Sequence, residues 1–331
     1  MKNMHYDMVS LGPARMDVFV TLPPEDVTEV CSIDQQRCMI ELGFGDKIPV
    51  KEMVFEIGGN TGNNAVGLSK LGYSVAMVGT MGDHFIEREV IDILHKQGVE
   101  TKYIVKIPGK FGFGVIINYQ GERTILSYYP DSECIFKIAD DDVTADWVYL
   151  TTAGEDFECF YEDAVKWAKK IGAKMAFNPG SRQIKMGVEK IRYAYEAAEV
   201  IFVNKEESMA LLDIKDQSVN IKDLLSGLRN LGPKTAVITD GPNGTFAYDG
   251  NKFVYMPIVD APVVERTGAG DAFGSGFLGG YMAGKSLDEC LIWGTLNSAS
   301  VLGFIGPQEG LLNKEQIIEW MARVTEKVVE I

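Results

Sequence analysis

The chain has 331 residues, of which 46% are hydrophobic, and its formal net charge is −15 at pH 7. This length suits one large α/β unit, and the hydrophobic fraction is that of a globular protein with a sizeable core. Because so acidic a surface repels phosphate backbones and anionic lipids, we expect neither nucleic acid nor a membrane as a partner.

Cysteine usage and apolar runs bound the class of protein further. The five cysteines are scattered and form no C-x-x-C pair, which argues against a disulfide framework and against a structural zinc site. The N-terminal segment lacks the apolar stretch of a secretory signal, and no apolar run approaches the roughly 18 residues of a transmembrane helix. We therefore expect a cytoplasmic protein. The cysteines are Cys31, Cys38, Cys134, Cys159 and Cys290.

Short apolar runs alternate with helical periodicity along most of the chain, which predicts a doubly wound, mostly parallel sheet with helices on both faces. The strand-like runs are 6–11, 74–79, 147–152, 174–179, 200–204 and 235–241. Helical periodicity covers about 61–72, 84–97, 156–171, 205–213 and 219–230. Residues 269–329 predict three helices with no strand between them.

Two regions, 15–57 and 101–130, interrupt this alternation with period-2 strands that have no helix between them. Gln120-Gly121-Glu122 predicts a hairpin turn in the second region. We expect these strands to form a small antiparallel sheet that covers a ligand cleft or a second subunit; an ordinary edge extension is the alternative. Without an internal repeat or a low-complexity linker, residues 1–331 are expected to form a single domain.

A phosphate-binding pattern occurs at residues 279–286, where GGYMAGKS matches the P-loop formula G-x-x-x-x-G-K-[ST]. A P-loop requires a strand before its glycine turn, but the preceding residues have helical spacing. We therefore interpret the segment as the end of one helix near Gly284 and the start of the next at Ser286.

A second phosphate-binding pattern is Gly268-Ala269-Gly270-Asp271, in the segment IVDAPVVERTGAGDAF. An apolar, β-like run leads into a glycine turn, and a helix begins at Asp271. The first N–H groups of a helix have no internal partner and suit an anion. Taken alone, Asp271 could equally be a helix cap.

A further glycine- and asparagine-rich turn, GGNTGNNAVGLSKLG at residues 58–72, lies about 200 residues upstream. In order and spacing, the two turns resemble the two signature regions of the ribokinase (PfkB) family of sugar and nucleoside kinases. The segments GPARMD, VNKEE and ITDGPNG resemble intermediate landmarks, so the resemblance covers nearly the whole chain. It implies a doubly wound α/β domain with a β-sheet lid. It also implies transfer of the γ-phosphoryl group of ATP to a hydroxyl of a small sugar or, alternatively, of a nucleoside.

The resemblance implies a catalytic role for the turn at the start of the last predicted helices. Asp271 would be the general base that takes the proton from the attacking hydroxyl. The N–H groups of Gly268, Ala269 and Gly270 would stabilise charge on the transferring phosphoryl group.

The resemblance also implies residues that bind the acceptor, the nucleotide and Mg²⁺. Acceptor contacts are expected from Asp17, Gly58, Gly59, Asn63 and Arg123. Nucleotide contacts are expected from Asn204, Thr239, Gly241, Gly244 and Thr267. Asn204 and Glu207 match the family's N-x-x-E motif and would hold hydrated Mg²⁺, whereas without the resemblance they would be interpreted as a helix-capping pair. Lid packing is the alternative role for Arg123.

One position departs from the family pattern. Members often carry Asp two residues before the Thr of this turn, whereas this chain has Glu265. In many relatives this segment binds a monovalent cation such as K⁺, together with a loop that corresponds to residues 303–310. Glu265 therefore leaves potassium activation open.

The remaining expectations concern the acceptor and the partners. Because the lid regions contain only scattered Lys and Arg, we expect an unphosphorylated sugar or a nucleoside. A catalytically silent member that senses a sugar is the alternative, although no disabling substitution is visible. A dehydrogenase is disfavoured because no G-x-G-x-x-G follows the first predicted strand. Exposed strand edges in the lid predict a homodimer through the lid sheet.

Overall fold

The computed structural model describes residues 4–32, 38–128, 135–138, 143–154 and 157–331. Within these ranges the strands are β1 (Met4–Leu11), β2 (Arg15–Thr21), β3 (Thr28–Cys31), β4 (Cys38–Glu41), β5 (Glu52–Gly58), β6 (Val75–Gly82), β7 (Val99–Ile107), β8 (Phe113–Tyr119), β9 (Glu122–Tyr128), β10 (Val143–Leu150), β11 (Lys174–Phe177), β12 (Val200–Asn204), β13 (Thr235–Thr239), β14 (Thr245–Tyr248), β15 (Phe253–Met256) and β16 (Val329–Glu330). The α-helices are α1 (Asn60–Lys70), α2 (Phe85–Lys96), α3 (Phe157–Ile171), α4 (Ser181–Lys185), α5 (Arg192–Ala197), α6 (Lys205–Leu211), α7 (Ile221–Asn230), α8 (Ala269–Met282), α9 (Leu287–Val301) and α10 (Lys314–Met321).

The main sheet has the strand order β16-β15-β14-β13-β12-β11-β10-β1-β6-β7. The strands from β13 to β7 in this order pair in parallel, and β14, β15 and β16 pair antiparallel at one edge. All six predicted strands lie in the parallel part, so the predicted fold class is confirmed. The antiparallel edge strands were not predicted, because runs of two to four residues have too little periodicity to be recognised.

Successive residues of each strand contact different helical layers, because side chains alternate between the two faces of a sheet. Phe202 of β12 belongs to a core formed with α1, α2, α8 and α9, whereas its neighbour Val203 belongs to a second core formed with α3, α5, α6 and α7. Met8 and Val9 of β1 divide in the same way. Helices therefore cover both faces, as a doubly wound sheet requires.

Small residues allow α8 to approach its neighbours closely. A Cβ added to Gly276 of α8 would lie 2.6 Å from the carbonyl oxygen of Trp293 in α9. A Cβ added to Gly67 of α1 would lie 2.3 Å from Oγ of Ser275 in α8. This close packing brings the first turns of α1 and α8 together, although they are about 200 residues apart in sequence.

A second sheet, which we call the lid sheet, has the order β5-β2-β8-β9. A small separate sheet was expected: its β2–β5 and β8–β9 pairs are antiparallel as predicted, and its central β2–β8 pair is parallel. Residues 101–107 belong instead to β7 of the main sheet. The predicted hairpin is present, with Gln120 and Gly121 both at positive φ. Residues 33–37, 129 and 130 of the predicted lid regions lie outside the described residues.

The expectation that the cysteines form no disulfides was also wrong. Cys31 and Cys38 pair directly across the β3–β4 hairpin and form a disulfide, and Cys159 is disulfide-bonded as well. A sequence spacing of seven gives no signal for this bond, because hairpin register brings the two residues together. Cys290 is free and buried, and Cys134 lies outside the described residues.

The interpretation of residues 279–286 as a helix boundary is confirmed. Gly284 follows the end of α8 with a φ of +71°, and the side chain of Ser286 caps α9 in a reciprocal pair with Glu289. None of the helices in the described ranges combines the length and apolar composition needed to cross a bilayer.

Candidate active site

The turn at the start of α8 is shaped by a left-handed glycine. Gly268 has a φ of +79°, and a Cβ added there would lie 2.2 Å from Cβ of Pro307. The expected β-like run before this turn was wrong: residues 257–264 form no strand, and Val263 and Val264 are half exposed. Packing against the loop after α9 therefore holds the turn. Gly268 and Gly270 line a cleft in front of α8, where the first N–H groups of a helix would stabilise an anion, whereas the N–H of Ala269 donates to the carbonyl of Arg266 at 3.4 Å.

Asp271 lies in the first turn of α8 and is linked to α1. Its Oδ2 accepts a hydrogen bond from Nδ2 of Asn63 at 2.8 Å, and Oδ1 of Asn63 accepts one from Nε2 of Gln308 at 3.1 Å. Burial raises the pKa of Asp271 to about 6, and the Asn63 hydrogen bond opposes that rise. Such a carboxylate is ionised at neutral pH but binds a proton more readily than an exposed aspartate.

A polar cleft opens in front of this turn. It brings together predicted residues from distant parts of the chain, because β12 and β13 end at the same edge of the sheet where α8 begins. The predicted residues that line it are Asp271, Gly268, Gly270, Asn204, Glu207, Thr239 and Arg123. Arg123 was expected at the acceptor, but it reaches this cleft from β9 of the lid sheet.

Asn204 and Glu207 form the capping pair that was the alternative to a metal site. Oδ1 of Asn204 accepts from the N–H of Glu207 at 2.7 Å, and Oε2 of Glu207 accepts from the N–H of Asn204 at 2.9 Å. Glu207 nevertheless faces the polar cleft, and burial raises its pKa, with the charge of Asp271 adding to the rise. A cation in this cleft would relieve the unfavourable proximity of the two carboxylates.

The other residues predicted to contact the nucleotide lie in or near the polar cleft. Thr239 lines the polar cleft, whereas Gly241 and Gly244 belong to the turn that follows β13, at φ values of +48° and +90°, and are not among its lining residues. Thr267 is bound locally: its N–H donates to Oε1 of Glu265 at 2.7 Å, and its hydroxyl donates to the same oxygen. Oε2 of Glu265 is buried and has no hydrogen-bond partner among the described residues.

A second, apolar cleft lies at the carboxyl ends of β1, β6 and β10. Asn60 lines both clefts, so the two adjoin. Gly59 is the predicted acceptor residue that lines the apolar cleft. Its large apolar walls are Met81, Ile107, Ile135, Phe157 and Phe160.

Asp17 and Gly58 support this cleft from behind. Oδ1 of Asp17 accepts a hydrogen bond from Nε of Arg15 at 2.7 Å, and both residues are buried. A Cβ added to Gly58 or Gly114 would lie within about 2 Å of a carboxylate oxygen of Asp17, so both positions require glycine. Arg15 lines the apolar cleft, whereas Asp17 is not among its lining residues.

Sequence reasoning missed several residues that the fold places at the site. Asn60 and Arg266 stand beside predicted residues within the two signature turns, and that adjacency was the available signal. Asn178 follows β11 and binds Nδ2 of Asn60 through its own Oδ1 at 3.0 Å. No sequence motif marks Tyr149 or Gln308, because strand order and loop packing bring them to the site.

Comparison with known proteins identifies the family. Residues 27–314 match the model of the pfkB family carbohydrate kinases. The chain belongs to this family. It is therefore a carbohydrate kinase, and the match includes both signature turns and the segments between them.

Individual relatives agree with this assignment. The chain is 27% identical over 257 residues to an uncharacterized sugar kinase of Archaeoglobus fulgidus, covering 74% of this chain and 98% of that protein. It is 26% identical over 266 residues to a nucleoside kinase of Methanothermobacter thermautotrophicus, covering 79% of this chain and 82% of that protein.

Solved structures confirm the fold of the pfkB-family chain. The ribokinase of Arabidopsis thaliana in complex with ribose and ATP superposes with a TM-score of 0.74 at 20% identity, covering 96% of this chain and 98% of that one. The nucleoside kinase of Burkholderia thailandensis in complex with inosine gives a TM-score of 0.75 at 19% identity, with the same coverage.

Proposed function

We propose that this kinase transfers the γ-phosphoryl group of ATP to a hydroxyl of an unphosphorylated, sugar-containing acceptor, with Asp271 as general base. The observation that carries this proposal is the position of Asp271: it lies beside the anion-binding turn, where burial raises its pKa to about 6. A base whose pKa is near the working pH combines the ionised state with a useful affinity for the proton.

The chain's own groups supply the remaining electrostatics. The N–H groups of Gly268 and Gly270 would stabilise negative charge on the transferring phosphoryl group. Arg123 and Arg266 face the same cleft, and Arg266 lies 3.7 Å from Glu122 of the lid sheet. The lid would therefore bring positive charge to the phosphates while it covers the acceptor.

The polar cleft also suits Mg²⁺. Glu207 presents a carboxylate there, and its partner in the cap, Asn204, lies at the same wall. Mg²⁺ in kinases keeps several waters and is held by one or two carboxylates plus phosphate oxygens, where it neutralises charge on the phosphates. We therefore assign Glu207, with Asn204, to the hydrated ion.

Glu265 supports a monovalent cation such as K⁺ beside the turn. Its buried Oε2 has no partner in the described part of the chain, and a buried carboxylate oxygen is costly without a cation or donor. We expect K⁺ to raise the thermal unfolding midpoint relative to tetramethylammonium at equal ionic strength, and we expect Glu265→Gln to remove this response. An equal midpoint in both salts would contradict the assignment.

The apolar cleft favours a nucleoside as the second candidate acceptor. Phe157 and Phe160 are part of its wall, and apolar and aromatic side chains line most small-molecule sites. A free monosaccharide would leave apolar surface uncovered, whereas a flat nucleobase would cover it. Nucleoside kinases among the relatives are consistent with this choice.

The exposed face of the lid sheet supports a homodimer. Phe55, Val18, Val115 and Leu126 form one row across the four strands by their pairing register. Phe55 and Leu126 on the outer strands are more than half exposed, whereas Val18 between them is buried. An apolar row of this kind is normally covered. Sedimentation should show a dimer that Phe55→Asp weakens; a wild-type monomer at all concentrations would refute this proposal.

The experiment that tests the function is ADP release from Mg·ATP by purified protein across pentoses, hexoses, sugar acids, sugar phosphates and nucleosides. We expect one unphosphorylated acceptor to stimulate the wild type but not Asp271→Asn. ATP binding with no stimulation by any acceptor would favour a sugar sensor. Stimulation that survives Asp271→Asn would refute the assigned base.

A further inference from the structure

Gln308 is buried in the loop between α9 and α10, and it is held from three directions. Its side-chain Nε2 donates to Oδ1 of Asn63 at 3.1 Å and to the carbonyl of Ile57 at 3.4 Å. The backbone carbonyl of Gln308 accepts a hydrogen bond from Nζ of Lys70 at 3.1 Å. The first and last turns of α1 therefore fix both the backbone and the side chain of Gln308.

These contacts decide which end of the Asn63 amide faces the acid. An amide has one accepting oxygen and one donating NH₂ group. Because Gln308 donates to Oδ1 of Asn63, Nδ2 of Asn63 is directed at Asp271, 2.8 Å away. The rotated amide would place an oxygen against the carboxylate and an NH₂ group against the NH₂ of Gln308, so both contacts would be repulsive.

We propose that Gln308 is a positioning residue for phosphoryl transfer, because it locks the Asn63 amide in the orientation that donates to Asp271. The inference rests on the proposed function, in which Asp271 is the base. Gln308 is about 5% exposed and does not line either cleft, so it acts only through Asn63.

The fixed orientation of the Asn63 amide has a measurable effect on the pKa of Asp271. A hydrogen bond donated to an ionised carboxylate lowers its pKa, so a mobile Asn63 amide would let burial raise the pKa of Asp271 further. The other charged or titratable groups that face Asp271 in the polar cleft are Glu207 of α6, Tyr149 of β10, Arg123 of β9 and Arg266 of the turn. A neutral substitution at Gln308 leaves their charges unchanged.

The test is Gln308→Met, which removes the donor, keeps a similar length and adds no charge. In protein labelled with ¹³C at the aspartate carboxyls, the Asp271 signal is the one that disappears in Asp271→Asn. We expect its titration midpoint to lie near pH 6 in the wild type and about one pH unit higher in Gln308→Met. With the best acceptor of the panel, kcat/KM should then fall about threefold at pH 6.5 and stay near wild type at pH 8.5.

Gln183→Met is the matched control. Gln183 is also a buried glutamine, and its Nε2 donates to the carbonyl of Ala153 at 3.3 Å, but it has no hydrogen bond to Asn63. We expect this variant to lose stability without moving the Asp271 titration. Loss of stability alone therefore cannot imitate the predicted result.

Gln308→Asn provides a milder second variant, because its amide keeps the polarity of the loop but is too short to reach Asn63. An Asp271 signal that still titrates near pH 6 in either folded variant would overturn the positioning role. Turnover that survives Asp271→Asn would instead overturn the proposed base. The two failures are therefore distinguishable.

Discussion

The polar cleft in front of α8 and the apolar cleft beside it meet at Asn60, yet they are built from different kinds of sequence. Most of the polar cleft comes from short motifs, in which charged and small residues stand at fixed spacings. The apolar cleft comes from six segments of the chain, and its large apolar side chains, such as Ile107 and Phe157, belong to none of the motifs. Phosphoryl transfer needs a fixed set of polar groups, whereas acceptor recognition needs a shape that many apolar residues can form.

The difference explains why the activity class is easier to infer than the acceptor. A carboxylate, a glycine turn and an N-x-x-E pair imply the same chemistry in any arrangement that brings them together. By contrast, the apolar cleft exists only after β1, β6 and β10 are aligned. Predictions that perturb one cleft and leave the other intact test this division.

The largest effect is expected from Asp271→Asn in the polar cleft. Turnover should fall by about 10² to 10⁴, because the general base is lost while ATP binding is retained. Because burial raises the pKa of Asp271 above its usual value, the folded state binds this proton more tightly than the unfolded state, and the ionised form opposes folding above pH 6. The thermal midpoint of the variant at pH 7.5 should therefore equal or exceed that of the wild type. Asp216→Asn, on the surface, is the control for turnover.

Gly114→Ala should damage the acceptor side. The new Cβ would lie 2.1 Å from Oδ1 of Asp17, so the Arg15–Asp17 pair must move. We expect kcat/KM for the acceptor to fall about 100-fold, because small displacements of positioning groups are costly, while the Kd of ATP stays unchanged. Gly303→Ala is the matched control, since a Cβ there meets no atom closer than 3.5 Å. Equal losses in both variants would contradict the assignment of Asp17 to the acceptor side.

Ile107→Ala removes part of the apolar wall. Its side chain is only half buried, so the effect should fall on acceptor affinity rather than on folding. We expect the KM of a nucleoside acceptor to rise about tenfold and the KM of ATP to stay constant. Ile104→Ala, on the same strand but packed against the main core, should lower stability without this selective effect. A rise in the KM of ATP alone would contradict the division between the clefts.

The smallest effect is the pH dependence. Since the pKa of Asp271 in the free protein is about 6, kcat/KM should be about half its plateau value at pH 6 and nearly constant from pH 7.5 to 8.5. The KM of the acceptor should change little over this range, because the apolar cleft contains no carboxylate among its lining residues. A full rate at pH 5 would contradict Asp271 as the titrating base.

Particular elements show how far sequence reasoning reached. Periodicity identified β12 at its observed bounds and placed α1, and the capping residues Gly284 and Ser286 placed the boundary between α8 and α9. It failed for β14 to β16, which are too short, and for the parallel β2–β8 pair, because strand pairing is not a local property. The Cys31–Cys38 disulfide escaped notice for the same reason.

The sequence by itself determined the alternating α/β plan and the polar groups to which the proposed chemistry is assigned, because both depend on local periodicity and on motifs. Only the tertiary structure decided that Asn63 donates to Asp271, that Gln308 orients Asn63, and that an apolar cleft adjoins the polar one. These contacts join residues more than 200 positions apart. They arise when α1, α8 and the loop after α9 pack together, and no local propensity encodes that geometry.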